Sequence, residues 1–204
     1  MFKDYKIVLA TGNPHKAAEF ERLFELYSGE KIKIHTLKDI GFEGEIVEDG
    51  KTFPENAMKK ALSVLDESVI VLADDSGLCV EALGGAPGIY SARYAGTGND
   101  ADNNAKLLEE MKGVAYRDAF FACSIACVYP RRSLIAPFVC NGVCPGEILI
   151  NPRGNGGFGY DPLFWVDEVG KSMAELTMDE KNLISHRGRA FAQLIAKLRS
   201  LGEL

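Results

Sequence analysis

Residues 69–73 read Val-Ile-Val-Leu-Ala and run straight into Asp74-Asp75-Ser76-Gly77. Five consecutive apolar residues, four of them Val, Ile or Leu, suit a strand covered on both faces. Strands of that kind belong to α/β sheets with helices above and below, and in such sheets ligands gather at the carboxyl ends of the strands. The strand is therefore expected to end at the two carboxylates. Side chains alternate along a strand, so Asp74 and Asp75 point in different directions. One is placed to face a substrate, and the other to fix the loop or hold a neighbouring group. A plain polar turn, with Asp and Ser bonding local backbone and Gly77 at positive φ, accounts for the tetrapeptide equally well when it is taken alone.

The flanking sequence extends the α/β pattern. Residues 5–10 predict a first strand, which leads through Thr11-Gly12-Asn13-Pro14-His15-Lys16 into a helix with Phe20, Leu23, Phe24 and Tyr27 on one face. A strand, a small-residue turn and a helix N-terminus present free N–H groups and a favourable dipole to an anion, and Lys16 adds charge there. The Walker A spacing is absent, and an ordinary turn with Asn13-Pro14 starting the helix remains the alternative. Ile32, Ile34 and Leu37 alternate with polar neighbours, as in an antiparallel or edge strand, where His35 reads as an edge side chain. The stretch 41–52 is rich in Gly and acid, including Glu43, Glu45, Glu48 and Asp49. Thr52 is set to cap a second helix, with Glu55 closing a capping box and Ala57, Ala61, Leu62 and Leu65 forming its apolar face.

Further on, Asn99 or Asp100 caps a helix reaching Met111, with Ala101, Ala105, Leu108 and Met111 aligned. Two or three strands are expected between Ala119 and Ile150, interrupted at Tyr129-Pro-Arg-Arg132 and at Asn141-Gly142. In Asn151-Pro-Arg-Gly-Asn-Gly-Gly-Phe158-Gly159-Tyr160-Asp161, glycines let a planar ring approach the backbone and aromatic faces can stack a base. A sharply bent surface loop is the other reading. The last helix starts at a Ser185 cap and buries Phe191, Leu194, Ile195 and Leu198. Lys181, His186 and Arg187 lie near that helix start, where the dipole does not favour cations, so a ligand is one way to account for them.

Composition narrows the function. At 204 residues the chain suffices for one buried core or two lobes sharing a cleft; one domain over 1–204 is expected, with a second lobe at about 115–175. Its net charge of −6 argues against a nucleic-acid backbone as partner, but not against a nucleotide met by a few lysines and a metal ion. No apolar run nears the ~20 residues that cross a bilayer, and the N-terminus carries no secretory pattern, so the expectation is a cytoplasmic protein without a membrane partner. The five cysteines include two Cys-x3-Cys pairs. Cys123 and Cys127 sit in a strand-like run, where ~3.3 Å per residue sets them roughly 13 Å apart. Two thiolates on one zinc, each at ~2.3 Å, must lie within about 4 Å of each other. Buried free thiols are expected.

Taken together, Thr11-Gly-Asn-x-x-Lys16, Glu48-x-Gly-x-Thr52-Phe-x-Glu-Asn56-Ala-x-x-Lys60, Ala73-Asp-Asp-Ser-Gly-Leu78, Gly84-Gly-x-Pro-Gly-x-Tyr-Ser-Ala-Arg-Tyr94, Gly156-Gly-Phe-Gly-Tyr-Asp-Pro162 and Ser185-His-Arg187 resemble the inosine/xanthosine triphosphate pyrophosphatases. The match is collinear from residue 7 to about 198, with Asp49 standing where the family usually has Thr. The resemblance implies an elongated mixed sheet flanked by helices, two lobes around a central nucleotide-binding cleft, and a homodimer. It implies Mg²⁺-dependent cleavage of deaminated purine nucleoside triphosphates between the α- and β-phosphates, a pool-cleansing activity. Asp75 would activate water and contact the metal, with Glu48 as second metal ligand. Thr11, Gly12, Asn13, Pro14, His15, Lys16, Lys60 and Ser76 would hold the triphosphate. Phe158, Gly159, Tyr160, Asp161, Lys181, Ser185, His186 and Arg187 would surround the base. A nucleotide sensor without turnover, or a pyrophosphatase for modified pyrimidine or methylated guanine nucleotides, are the rival functions.

Overall fold

The computed structural model describes residues 2–11, 14–64, 66 and 68–204, and of Lys3, Pro14 and His15 only the backbone. Among these residues, seven strands form one mixed sheet in the order β2-β1-β3-β4-β5-β6-β7. They are β1 Lys6–Leu9, β2 Ile34–His35, β3 Val69–Val80, β4 Asp118–Val128, β5 Phe138–Ile148, β6 Phe164–Val166 and β7 Lys171–Ser172. The helices are α1 Pro14–Ser28, α2 Phe53–Ser63, α3 Asp100–Glu110, α4 Met178–Ile184 and α5 His186–Ser200. β1 runs parallel to both β2 and β3, while β6 is antiparallel to β5 and β7. The expected α/β class is therefore observed, with β2 at the sheet edge but parallel rather than antiparallel. No helix among the described residues is long and apolar enough to cross a membrane.

The chain forms two compact units, one of residues 1–75, 124–142 and 190–204, the other of 76–123 and 143–189. In the first, the apolar stripe of α1 is realised: Phe20, Leu23 and Phe24 are fully buried, and the rings of Phe20 and Phe24 meet Phe191 edge-on at 5.5 and 4.6 Å. Phe191 belongs to the expected stripe of α5, all four members of which are buried. Each such ring withdrawn from water contributes about 1.5–3 kcal/mol. A second cluster joins Val8, Ala57, Ala61, Val69, Val71, Ala73 and Ala126. Small alanines on α2 let that helix lie close to the sheet and bring its polar side chains near β3. In the other unit, Leu78, Leu107, Met111, Phe121, Cys144, Tyr160, Phe164 and Met173 share one core.

Several local expectations are corrected. β3 does not stop at the carboxylates but continues through Asp74, Asp75, Ser76 and Gly77 to Val80, almost entirely buried. Asn141-Gly142 lies inside β5, so only two strands cross that region before residue 150. Leu62 is 45% exposed on α2, whose buried face is Asn56, Ala57, Lys60 and Ala61; Leu65 lies outside the described residues. Thr52 caps α2 by accepting from the Glu55 N–H at 3.3 Å, but Glu55 accepts from the Lys51 N–H at 2.7 Å, so the box is not closed on the cap residue. On α3 the buried face is Asn103, Leu107 and Met111, while Ala101 and Ala105 are exposed. Asn99 is its cap, taking the N–H groups of Ala101 and Asp102. All five cysteines are buried free thiols.

Candidate active site

The carboxylates of β3 are buried without being stranded. Burying an unpaired charge is costly, so each must find a cation or hydrogen-bond donor. Asp74, 4% exposed, accepts from Lys16 Nζ of α1 at 2.9 Å. Asp75, 9% exposed, points elsewhere, as strand alternation requires: its Oδ1 accepts from Lys60 Nζ at 2.9 Å and its Oδ2 from Asn56 Nδ2 at 3.1 Å. Asn56 and Lys60 are one helical turn apart on α2, and therefore share a face. Lys60 Nζ also lies 3.3 Å from Glu48 Oε1, so one buried ammonium gathers both expected metal carboxylates.

Backbone completes the cluster. Asn56 Oδ1 accepts from the Gly50 N–H at 2.8 Å, tying the acidic loop to α2 two residues beyond Glu48. A Cβ on Gly50 would lie 2.5 Å from that oxygen, which is why glycine stands there. Burial pushes the Asp75 carboxyl above the ordinary carboxylate range, against the opposing pull of Lys60 and Asn56. For Lys60 burial favours the neutral amine, but Asp75, Asp74 and Glu48 together outweigh it and hold the ammonium above its usual range. The result is a charged lysine beside a carboxylate whose proton affinity is raised, a combination suited to phosphate binding and proton acceptance.

Among the described residues no three His, Cys, Asp or Glu side chains converge on one point. Mg²⁺ does not need such a cage, since one or two carboxylates plus phosphate oxygens and water satisfy it. Glu48 and Asp75, two oxygen donors drawn to one ammonium, are a donor set of that kind. Thr11 follows β1, and its carbonyl accepts from the Leu37 N–H at 3.2 Å. Gly12 and Asn13 lie outside the described residues, as do the side chains of Pro14 and His15, whose backbone opens α1.

In the other unit, a second cluster forms around residues 158–161. Asp161, 3% exposed, accepts from the Phe158 N–H at 2.9 Å and from Lys181 Nζ. The same ammonium stands 4.4 Å from the centroid of the Phe158 ring. Phe158 is itself 56% exposed, an aromatic face open to a planar partner and held from below by a buried ion pair. Gly157 has φ +72°, and a Cβ there would fall 2.0 Å from Asp161 Oδ2. The Tyr160 hydroxyl donates to the Ser91 carbonyl at 2.9 Å, and burial raises its pKa well above the ordinary phenol value.

Ser185 separates α4 from α5: its N–H caps α4 on the Lys181 carbonyl, and its Oγ accepts from the Gly188 N–H at 3.1 Å. His186 lies flat on Phe121, centroids 4.7 Å apart and planes 14° off parallel. Arg187, 2% exposed, donates to Ser76 Oγ at 3.2 Å. The expected residues thus fall into two groups, Lys16, Glu48, Lys60 and Asp75 in one unit, and Ser76, Phe158 to Asp161, Lys181 and Ser185 to Arg187 in the other. Sequence reasoning left Asn56, which holds the second Asp75 oxygen, without a role at the site. Its i, i+4 spacing from Lys60 was a usable signal.

Comparison with solved structures agrees on the fold class. The Staphylococcus aureus Ham1 protein superposes with a TM-score of 0.85 at 37% identity, covering 96% of this chain and 98% of that one. A Mycobacterium abscessus structure described as a nucleoside-triphosphatase / dITP/XTP pyrophosphatase gives a TM-score of 0.74 at 38% identity, over 93% and 98%. The model of the Ham1 family matches residues 7–197. A Lactiplantibacillus plantarum relative named dITP/XTP pyrophosphatase is 48% identical, over 97% of this chain and 96% of its own length. The chain belongs to the Ham1 family, the nucleoside-triphosphate pyrophosphatases that its motifs resemble.

Proposed function

We propose that this protein hydrolyses deaminated purine nucleoside triphosphates (ITP, dITP and XTP) to the monophosphate and pyrophosphate, in the presence of Mg²⁺, and so cleanses the nucleotide pool. The observation that carries the chemistry is Lys60, buried between Glu48 and Asp75, with Asn56 holding the second Asp75 oxygen. A triphosphate resists attack because its anionic oxygens repel nucleophiles. Lys60 and Lys16 offset that charge when they turn from their carboxylates to phosphate oxygens, and the dipole of α1, positive at its start beside Lys16, favours the same anion. Thr11 and Ser76 supply hydroxyls to the same anion. Asp75, with its raised proton affinity, accepts a proton from the water that attacks the α-phosphorus. The α–β bond breaks and pyrophosphate leaves. Mg²⁺ held by Glu48 and Asp75 would neutralise phosphate charge and orient the substrate.

At the base, Phe158 offers a stacking face, and Lys181, His186 and Arg187 are donors. A 6-oxo purine accepts such hydrogen bonds. Adenine presents a 6-amino donor instead, and two buried donors facing each other cost more than a lost bond. The Lys181–Asp161 pair fixes that lysine in place while Asp161 anchors the Phe158 backbone. We further infer one catalytic domain that works in the cytoplasm as a homodimer.

The test is product analysis with ITP, dITP and XTP plus Mg²⁺, beside ATP and GTP. Monophosphate and pyrophosphate, with slow turnover of the controls, are expected, and Asp75→Asn should lower kcat about 10²–10⁴-fold. Orthophosphate release would overturn the position of attack. Bound but intact ITP would identify a sensor instead.

A further inference from the structure

Gly159 follows Phe158 and has φ +60°, with no atom within 4 Å of where a Cβ would stand. Glycine at such a point is the most freely moving residue of a chain, so something must hold it if Phe158 is to keep one pose. Its N–H donates to Asp100 Oδ2 at 2.7 Å, and its carbonyl accepts from Asn104 Nδ2 at 2.8 Å. Both polar groups of this residue are therefore taken by side chains one turn apart on α3. α3 is itself fixed. Leu107 and Met111 are buried in the core, and Asn103, 2% exposed, accepts from the Ala95 N–H at 2.7 Å and donates to the Ala92 carbonyl at 3.3 Å. On the far side of Gly159, Tyr160 is tied to the Ser91 carbonyl.

Building on the base-binding reading of Phe158, we propose that Asp100 and Asn104 are positioning residues that clamp Gly159 and thereby set the Phe158 ring for stacking. Neither touches the base; both act through the loop. Asn104 also leaves its own Oδ1 buried and without a hydrogen-bond partner among the described residues. An unsatisfied buried acceptor is unfavourable, so stability alone does not account for asparagine here. Asp100 stands in the first turn of α3, where a carboxylate also suits the helix dipole.

The experiment compares full-length wild type with Asp100→Ala, Asn104→Ala, the double variant and the conservative Asp100→Asn, which keeps an acceptor oxygen. KM for dITP is expected to rise about tenfold in each Ala variant with kcat within about twofold, and to recover in Asp100→Asn. Inhibition by inorganic tripolyphosphate, which has no base, should be unchanged. An unaltered KM in the double variant, or an equal loss of tripolyphosphate inhibition, overturns the clamp. Wild type inert toward dITP and XTP would instead defeat the functional reading. The clamp is then decided on substrate-free protein by amide exchange at Phe158 and Gly159, expected at least about tenfold faster in the double variant. Equal exchange overturns it.

Discussion

Gly157→Ala tests how the base cluster is built. Gly157 has φ +72°, which an alanine tolerates at a cost of about 1–2 kcal/mol. The new Cβ would also lie 2.0 Å from Oδ2 of Asp161, 2.8 Å from its Cγ and 3.0 Å from its Cβ, so that short side chain must move. It is 3% exposed and holds both the Phe158 N–H and the Lys181 ammonium. Separating a buried pair in this way costs about 3–5 kcal/mol, of which the remaining contact of Lys181 with the Phe158 ring recovers about 1–2. The expected loss is therefore about 3–5 kcal/mol, a large part of the ~5–15 kcal/mol that holds a domain folded.

Urea unfolding reads that loss as a lower midpoint at unchanged slope. Gly159→Ala is the control. It has a similar φ, +60°, but open space around the added carbon, and should lose only about 1–2 kcal/mol. KM for dITP should rise in Gly157→Ala because Phe158 loses its anchor. Equal destabilisation by the two substitutions would show that Asp161 is not displaced and would refute the reasoning.

Two further predictions concern charge. Lys60→Met removes the cation that lowers the Asp75 pKa, so the carboxyl rises further above its unfolded value of ~3.9. A carboxyl raised by folding contributes fully below its unfolded pKa and loses that contribution as pH climbs through the folded one. Unfolding in EDTA should show a wild-type advantage smallest near pH 4 and reaching about 3 kcal/mol by neutrality; a pH-independent gap would contradict a charge origin. Burial raises the Cys140 and Cys144 thiols to about 11, and Cys127 well above its usual value. At pH 8 roughly one thousandth of a pKa 11 thiol is ionised, so a disulfide reagent should find these thiols only after unfolding. The sign is that of a raised acid: stability falls as pH rises from ~8.5, where unfolded thiols ionise, toward about 11. Rapid reaction of all five in native protein would overturn their burial.

The sequence by itself determined the features that depend on neighbours along the chain. The stripes of α1 and α5, the caps at Thr52 and Asn99 and the alternation of Asp74 with Asp75 follow from backbone periodicities of 3.6 and 2, which act within a few residues. The order of its motifs carried the family. Only the tertiary structure decided where β3 ends. Two adjacent carboxylates read as a strand terminus because buried charge is costly, yet Lys16, Lys60 and Asn56, remote in sequence, compensate them and the strand continues. Which face of α3 is buried, and that Asp100 and Asn104 turn toward Gly159, are likewise set by what packs against the helix. Neutralising a charge and choosing a buried face are both contacts between distant segments, and local pattern carries no record of them.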